Sequence, residues 1–300
     1  MPSEEPARYV GRFAPSPTGP LHLGSLATAV ASYLEARVKK GEWLLRIEDI
    51  DPPREHAGSS ELILEALEFY GFEWDREVIR QSQSFKDHIG AIQRLLDRGQ
   101  AYPCDCSRRQ LAACARGPLG TIYPGNCRNG CNSSDVAIRL RTQDDPVIFH
   151  DRLQGNVAQR LERESGDFVI RRRDGLIAYH LAVVVDDHLQ GVTDIVRGVD
   201  LIDSTPRQIW LQQQLGYVSP TYAHIPMITH PNGDKLSKLT DAPAISLSQP
   251  GQTLRHALTL LRQEPPPWSA FSGLADLWRW AFENWQIGKN SGVASIAVSP

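Results

Sequence analysis

Apolar and polar positions recur with two different periods over the first hundred residues. Residues 8–13 and 43–47 are short runs of strand type, while 21–40 carries small and apolar side chains at helical spacing up to Gly41. Residues 59–70 set Leu62, Leu64, Leu67 and Phe69 among acids, an amphipathic helix stopped by Gly71; 85–98 is a further helix closed by Gly99. Alternating strand and helix signals predict parallel βαβ units and an α/β sheet.

From 101 to 134 the period is lost. Cys, Gly, Pro and Asn dominate, which predicts a small inserted subdomain that does not fold on hydrophobic burial of its own. Strand-like runs resume at 136–140, 147–149 and 168–170, and 181–185 is a fully apolar run between polar flanks. Residues 203–215 read as helix. Two Pro-rich linkers, 241–250 and 263–268, flank a late helix marked by Leu254, Ala257, Leu258 and Leu261. Residues 274–285 are another helix, and the tail after Ile287 reads as frayed.

Composition adds exclusions. The 300 residues are 41% hydrophobic and 22% charged, which excludes a wholly disordered chain or a fibrous repeat. No apolar run approaches the ~18–20 residues that span a bilayer. The acidic start, Met1 to Glu5, lacks the apolar core of a secretory signal, so a cytoplasmic protein is expected. The net charge of −3 argues neither for nor against a nucleic-acid partner, and its distribution says more: residues 94–141 hold eight arginines and three aspartates, with no lysine or glutamate.

The five cysteines, Cys104, Cys106, Cys114, Cys127 and Cys131, all lie in that stretch. An odd number packed into one segment reads as a metal site before a disulfide framework. By spacing alone, Cys104-x-Cys106 and Cys127-x3-Cys131 supply four thiolates to a tetrahedral zinc.

Two further constellations carry chemistry. In the first, residues 12–25 (RFAPSPTGPLHLGS), a strand ends, a Pro-stiffened loop turns and a helix starts near His22. A helix start is a ready phosphate site; His22 can donate to a phosphoryl oxygen, and Gly24 removes a side chain where a nucleotide must approach. In the second, Lys235-Leu236-Ser237-Lys238 follows Asn232-Gly233-Asp234 and holds two of only six lysines in the chain. Such a pair can neutralise a developing pyrophosphate.

Together these resemble the early His-x-Gly-His and late Lys-Met-Ser-Lys-Ser signatures of class I aminoacyl-tRNA synthetases, with Ser25 and Leu236 at two signature positions. Residues 12–19 (RFAPSPTG), 46–51 (RIEDID), Asp186-Asp187-His188 and Val196-Arg197-Gly198 are similar to the glutamyl branch, over residues 9–238. Only 62 residues follow Lys238, fewer than an anticodon-binding module needs, and with the cysteine insert this resembles the glutamyl-queuosine tRNA(Asp) synthetase family. That resemblance implies a Rossmann-like parallel-sheet catalytic domain in two halves, 1–100 and 135–240. It also implies a zinc-binding insert, 101–134, and a short helical C-terminal extension, 241–300.

It further implies that glutamate is activated with ATP and esterified onto queuosine in the anticodon loop of tRNA(Asp), by a monomer. Glutamate offers two carboxylates and one ammonium, so Arg12 and Arg197 are expected as clamps and Glu48 as the ammonium partner. By the family pattern Tyr179 binds substrate, as does the turn Phe13, Ala14, Pro15 and Ser16. ATP is expected at His22, Gly24, Ser25 and Lys238, with Lys235 in support and Mg2+ accompanying it. His22, Lys235 and Lys238 are the expected catalytic groups. The family's metal pattern implies Cys104, Cys106, Tyr123 and Cys127 as zinc ligands, against the four-cysteine alternative that uses Cys131. Arg171, Arg172 and Arg173 read as a basic surface patch.

Overall fold

The structure, a computed structural model, describes residues 8–234, 236 and 243–298. Lys235, Ser237 and Lys238 apart from Leu236 therefore lie outside the described residues. Strand β1 (Val10–Phe13) is fully buried and leads through the Pro-rich turn to α1 (Leu23–Val38). Four α1 alanines, Ala27, Ala29, Ala31 and Ala36, are wholly buried, and their small side chains let the helix lie close on the sheet. β2 (Glu42–Ile47) pairs parallel to β1; α2 (Ser59–Phe69) follows, and β3 (Ile79–Arg80) pairs parallel to β2 before α3 (Phe85–Asp97).

The cysteine-rich stretch starts on β4 (Ala101–Cys104). It holds the short α4 (Arg108–Ala112) and a small hairpin of β5 (Arg116–Gly117) and β6 (Gly120–Thr121). β7 (Ala137–Leu140) returns antiparallel to β4. Next come the hairpin β8 (Val147–Asp151) and β9 (Gly155–Gln159), the short α5 (Leu161–Glu164), and β10 (Phe168–Arg171), which pairs antiparallel to β7. The chain continues as α6 (Tyr179–Gln190), β11 (Asp194–Gly198), α7 (Thr205–Leu215), β12 (Thr221–Ile225) and β13 (Met227–Thr229). It closes with α8 (Pro250–Leu260), α9 (Leu274–Asn284) and β14 (Ser295–Ala297).

β11, β12 and β8 form a second parallel array, joined to the first by bonds between Val10 and Thr193: the Thr193 amide to the Val10 carbonyl, and the Val10 amide to Thr193 Oγ1, both 2.9 Å. β1 and β11 thus sit side by side with connections running outward in opposite directions, the topological switch point of a doubly wound sheet. One apolar core, around α1, α8 and α9, covers one face; the other, from α3, α6 and α7, covers the opposite face.

Two expectations change here, and one unassigned run finds its element. The apolar run at 181–185 is the middle of α6, although Val183, Val184 and Val185 favour strand when taken alone. All five residues are buried, so no helical stripe is visible in the sequence. The tail is not frayed: β14 pairs parallel with β13 from Ser295 to Ala297. Arg171–Arg173 is not a free basic patch, for Arg172 binds Asp51 and Asp174, and Arg173 reaches the cysteine loop.

Candidate active site and thiol cluster

At the switch point the carboxyl ends of β1, β2 and β11 bring their side chains under one crevice. Arg12 is 4% exposed and its Nε donates to Asp187 Oδ1 at 3.1 Å. Arg46, from β2, binds the same Asp187 oxygen at 2.8 Å and Glu48 Oε1 at 3.3 Å. Three guanidinium groups (Arg12, Arg46, Arg197) are buried here against the carboxylates of Glu48 and Asp187, with Asp186 and Asp151 buried just behind them.

Tyr179, the first residue of α6, stands among them. Burial pushes its phenol up; Arg197 and Arg12 pull it down, and Glu48 and Asp187 add to the rise. Burial likewise raises the Glu48 carboxyl, against the pull of Arg46 and Arg12. Asp187 sits lower than an ordinary aspartate because Arg12 and Arg46 outweigh its burial. Burial, with Arg207 and Arg197 nearby, holds His180 down at about 3, so that ring is neutral near pH 7.

Arg197 is 3% exposed. Its Nε donates to His224 Nε2 at 3.1 Å, and its Nη2 to Thr205 Oγ1 at 2.8 Å and Gln208 Oε1 at 2.7 Å. Its Nη1 is buried and has no hydrogen-bond partner among the described residues. The structure therefore brings Arg12, Glu48, Tyr179 and Arg197 together.

The turn after β1 is fixed to β2: the Glu48 amide donates to the Pro15 carbonyl at 3.0 Å, and the Thr18 amide to the Ser16 carbonyl at 2.8 Å. Ala14, Pro15 and Ser16 so lie beside Glu48. Phe13 differs, because its ring is buried in the core, stacked on Trp43 with centroids 6.2 Å apart.

His22 caps α1. Its Nδ1 accepts the Ser25 amide at 3.3 Å, and Ser25 Oγ accepts the His22 amide at 2.8 Å, a reciprocal capping box. With Nδ1 used as an acceptor, the neutral ring carries its proton on Nε2, the form that donates to an oxygen. A Cβ on Gly24 would lie 3.1 Å from the His22 ring and 3.3 Å from the Leu236 carbonyl, so glycine keeps this entrance narrow but open. Leu236 is 7% exposed, belongs to the same apolar core as Leu21, and donates its amide to the Ile228 carbonyl at 2.9 Å.

The cysteine insert gathers a second cluster. Cys104, Cys106 and Cys127 have their sulfurs within 4.8 Å of one another. The Tyr123 hydroxyl is 3.4 Å from Cys104 Sγ and 3.7 Å from Cys106 Sγ, and it accepts the Cys127 amide at 3.0 Å. Thiolates about 2.3 Å from a zinc ion lie ~3.8 Å apart in a tetrahedron, so this set fits that metal. Cys131 is outside the three-sulfur group; its sulfur lies 3.9 Å from the Ser133 carbonyl.

Burial pushes the Cys104 thiol up, but the Tyr123 hydroxyl and the Arg139 guanidinium, whose Nε is 3.2 Å from that sulfur, bring it below the ordinary value. Arg139 also stacks over the Tyr123 ring at 3.9 Å. The Tyr123 backbone packs directly on Gly166, with its amide donating to the Ser165 carbonyl at 3.1 Å. Gly166 is left-handed (φ 65°), and a Cβ there would collide with Tyr123.

A hydrogen bond runs from the cysteine insert to the segment that leads into Tyr179. Arg173 donates to the Asp105 carbonyl at 2.7 Å, between two of the cysteines. It sits in the tight turn between β10 and α6, whose first residue is Tyr179.

Sequence reasoning placed Arg46 and Asp187 in motifs without giving them a task; their neighbours Glu48 and Asp186 offered the signal. It missed Asp151, His224, Thr205 and Gln208, which no motif marks.

This fold and this pocket define the catalytic domain of a class I tRNA synthetase. Residues 9–252 match the family described as tRNA synthetases class I (E and Q), catalytic domain. A Glutamyl-Q tRNA(Asp) synthetase from Ectopseudomonas mendocina is 53% identical over 92% of this chain and 93% of its own. One from Chromobacterium violaceum is 53% identical over 94% and 95%. The chain belongs to the Glutamyl-Q tRNA(Asp) synthetase family, and is a ligase of the aminoacyl-tRNA synthetase type. Among solved structures, a glutamate-tRNA synthetase from Elizabethkingia anophelis has the same fold, with a TM-score of 0.80 and 23% identity. It is matched over 97% of this chain and 68% of the other. No helix among the described residues is long and apolar enough to cross a membrane.

Proposed function

We propose that this protein activates L-glutamate with ATP and transfers it to queuosine at the wobble position of tRNA(Asp), as a monomer in the cytoplasm. The observation that carries the first half is the buried pocket: Arg12 and Arg197, the latter with an unpartnered Nη1 among the described residues, suit the two carboxylates of glutamate, and Glu48 its ammonium. Tyr179 hydrogen-bonds the substrate, and the turn from Phe13 to Ser16 closes over it through backbone groups.

ATP binds at the start of α1. Gly24 keeps this turn open, Ser25 fixes the His22 ring through its amide, and His22 donates from Nε2 to a phosphoryl oxygen. A glutamate carboxylate oxygen attacks the α-phosphorus in line, and the bond to the pyrophosphate breaks. Lys238, with Lys235, stabilises the leaving pyrophosphate, and Mg2+ accompanies the nucleotide. No protein nucleophile is needed. A queuosine hydroxyl then attacks the glutamyl carbonyl, and AMP leaves.

Cys104, Cys106, Tyr123 and Cys127 hold a structural zinc that orders the insert. The acceptor half rests on the relatives' names and on charge. No acidic residue occurs between Asp105 and Asp135. Arg108, Arg109 and Arg116 in that stretch are exposed and have no ion pair or hydrogen bond from their side chains among the described residues, as suits contacts to RNA phosphates.

The test is ATP-dependent transfer of labelled glutamate to tRNA(Asp) with and without queuosine. Label that appears only on queuosine-containing tRNA, and persists after the terminal adenosine is removed, is the expected result. Transfer that requires the 3′ end and ignores queuosine would refute the acceptor assignment.

A further inference from the structure

We propose that the buried Asp151–His224 pair is a positioning device for Arg197: it fixes the guanidinium so that Nη1 alone is presented to the substrate carboxylate. The inference rests on the reading of Arg197 as a glutamate-binding residue.

Arg197 has five N–H donors. Those on Nε and Nη2 are occupied by His224, Thr205 and Gln208, and those on Nη1 are the pair without a protein acceptor among the described residues. A buried donor without a partner is costly, and an incoming carboxylate is the acceptor that satisfies it.

Strand register supplies the device. Arg197 on β11 lies opposite His224 on β12, and Tyr222, two residues before His224, lies opposite Asp151 at the end of β8. Asp151 and His224 are both fully buried. Asp151 Oδ2 is 2.6 Å from His224 Nδ1. Its Oδ1 accepts the amides of Leu153 at 3.0 Å, Gln154 at 2.9 Å and His224 at 3.2 Å, which holds the carboxylate in place at the hairpin turn.

A carboxylate only accepts, so His224 must carry its proton on Nδ1. Its Nε2 then has a lone pair, which receives the Arg197 Nε–H at 3.1 Å and also faces the Thr205 hydroxyl at 3.1 Å. With the opposite tautomer, or with a charged ring, two N–H groups would face each other and Arg197 would turn away. Burial and the Arg197 charge both favour the neutral ring, against the pull of Asp151. Asp151 and His224 touch neither substrate nor ATP in this reading; they act through Arg197.

The experiment measures glutamate and ATP dependence of ATP–pyrophosphate exchange in the full chain for His224→Leu, His224→Gln, Asp151→Asn and Arg197→Lys. Thermal melts identify the variants that fold. His224→Leu is expected to raise the glutamate KM about 10-fold or more, since small misplacements of a binding group are magnified in this way. The ATP KM should stay within about twofold, a split that marks lost glutamate contact. His224→Gln keeps an acceptor for Arg197 and should fall between wild type and Leu. Asp151→Asn retains volume but frees the tautomer, and should move the glutamate KM in the same direction.

A glutamate KM unchanged in whichever of His224→Leu and Asp151→Asn folds would overturn the proposal. So would an equal loss for ATP, or a Gln variant no better than Leu. If Arg197→Lys impairs glutamate use while those two do not, the positioning role alone fails. If Arg197→Lys has no effect, the reading of the pocket fails and the positioning role with it.

Discussion

The substrate pocket and the cysteine insert both bury charged or ionisable groups, but they are held in opposite ways. Behind the pocket stand two apolar cores and complete strands, so Arg12, Arg46 and Arg197 are placed by register before any ligand arrives. The insert has only Tyr102, Cys104, Tyr123 and Cys127 as a buried cluster. Beside it runs a polar net, in which Arg128 Nε binds Asp167 at 2.7 Å and the Tyr102 hydroxyl donates to the same carboxylate. In the pocket the fold creates the site. In the insert apolar burial is scant, and a metal on the three gathered thiols would supply what it does not.

The sharpest way to break this contrast is at Arg197. Arg197→Ala should weaken glutamate binding well over tenfold, since removing one partner of a buried charged pair costs ~2–5 kcal/mol. Exchange kinetics should show the ATP KM nearly unchanged and the melting curve close to wild type. An equal loss of both substrates would mean the pocket is not pre-built. Cys104→Ser should act in reverse, with lost zinc in elemental analysis and rapid proteolysis within residues 101–134. Full zinc content in that variant would refute the thiol-core account. Tyr123→Phe should lower zinc retention against a chelator, and Cys131→Ser should leave it as in the parent; the opposite order would move the fourth ligand to Cys131.

A smaller effect is expected from charge on the insert. Replacing Arg108, Arg109 and Arg116 together by Gln should lessen the slope of log affinity for tRNA against log salt, by up to ~0.7–0.9 per lost phosphate contact. Glutamate-dependent exchange without RNA should not change, and an unaltered salt slope would remove these residues from the RNA surface. The smallest effect belongs to the link between the regions. Arg173→Ala should retain zinc yet raise the proteolysis rate of the insert a few-fold, because one largely exposed strut to the Asp105 carbonyl is lost. Release of zinc would make Arg173 part of the core instead.

The sheet, most helices and the convergence of Arg12, Glu48, Tyr179 and Arg197 on one crevice were legible because each leaves a local mark: a period, a Gly stop, or a motif. The middle of α6 left none, since residues 181–187 are buried on every side and show no polar face. Asp151 and His224 were invisible for a different reason. They meet across strands 73 positions apart, and only register brings them to Arg197. Summed charge also misled: of the eight arginines between 94 and 141, Arg128, Arg139 and Arg141 serve internal contacts, while Arg94 and Arg98 bind Tyr217 and the Gln214 carbonyl. Three are left to face a partner.

Gly166 lies outside the cysteine segment, yet it decides where Tyr123 can stand. A single added methyl there would lift the phenol off the sulfurs without touching one of them. A screen for loss of metal would then return a mutation in a loop that has no ligand and no thiol. Gly166→Ala is therefore expected to weaken metal retention by the proposed ligand set through spacing alone, with all three thiols intact.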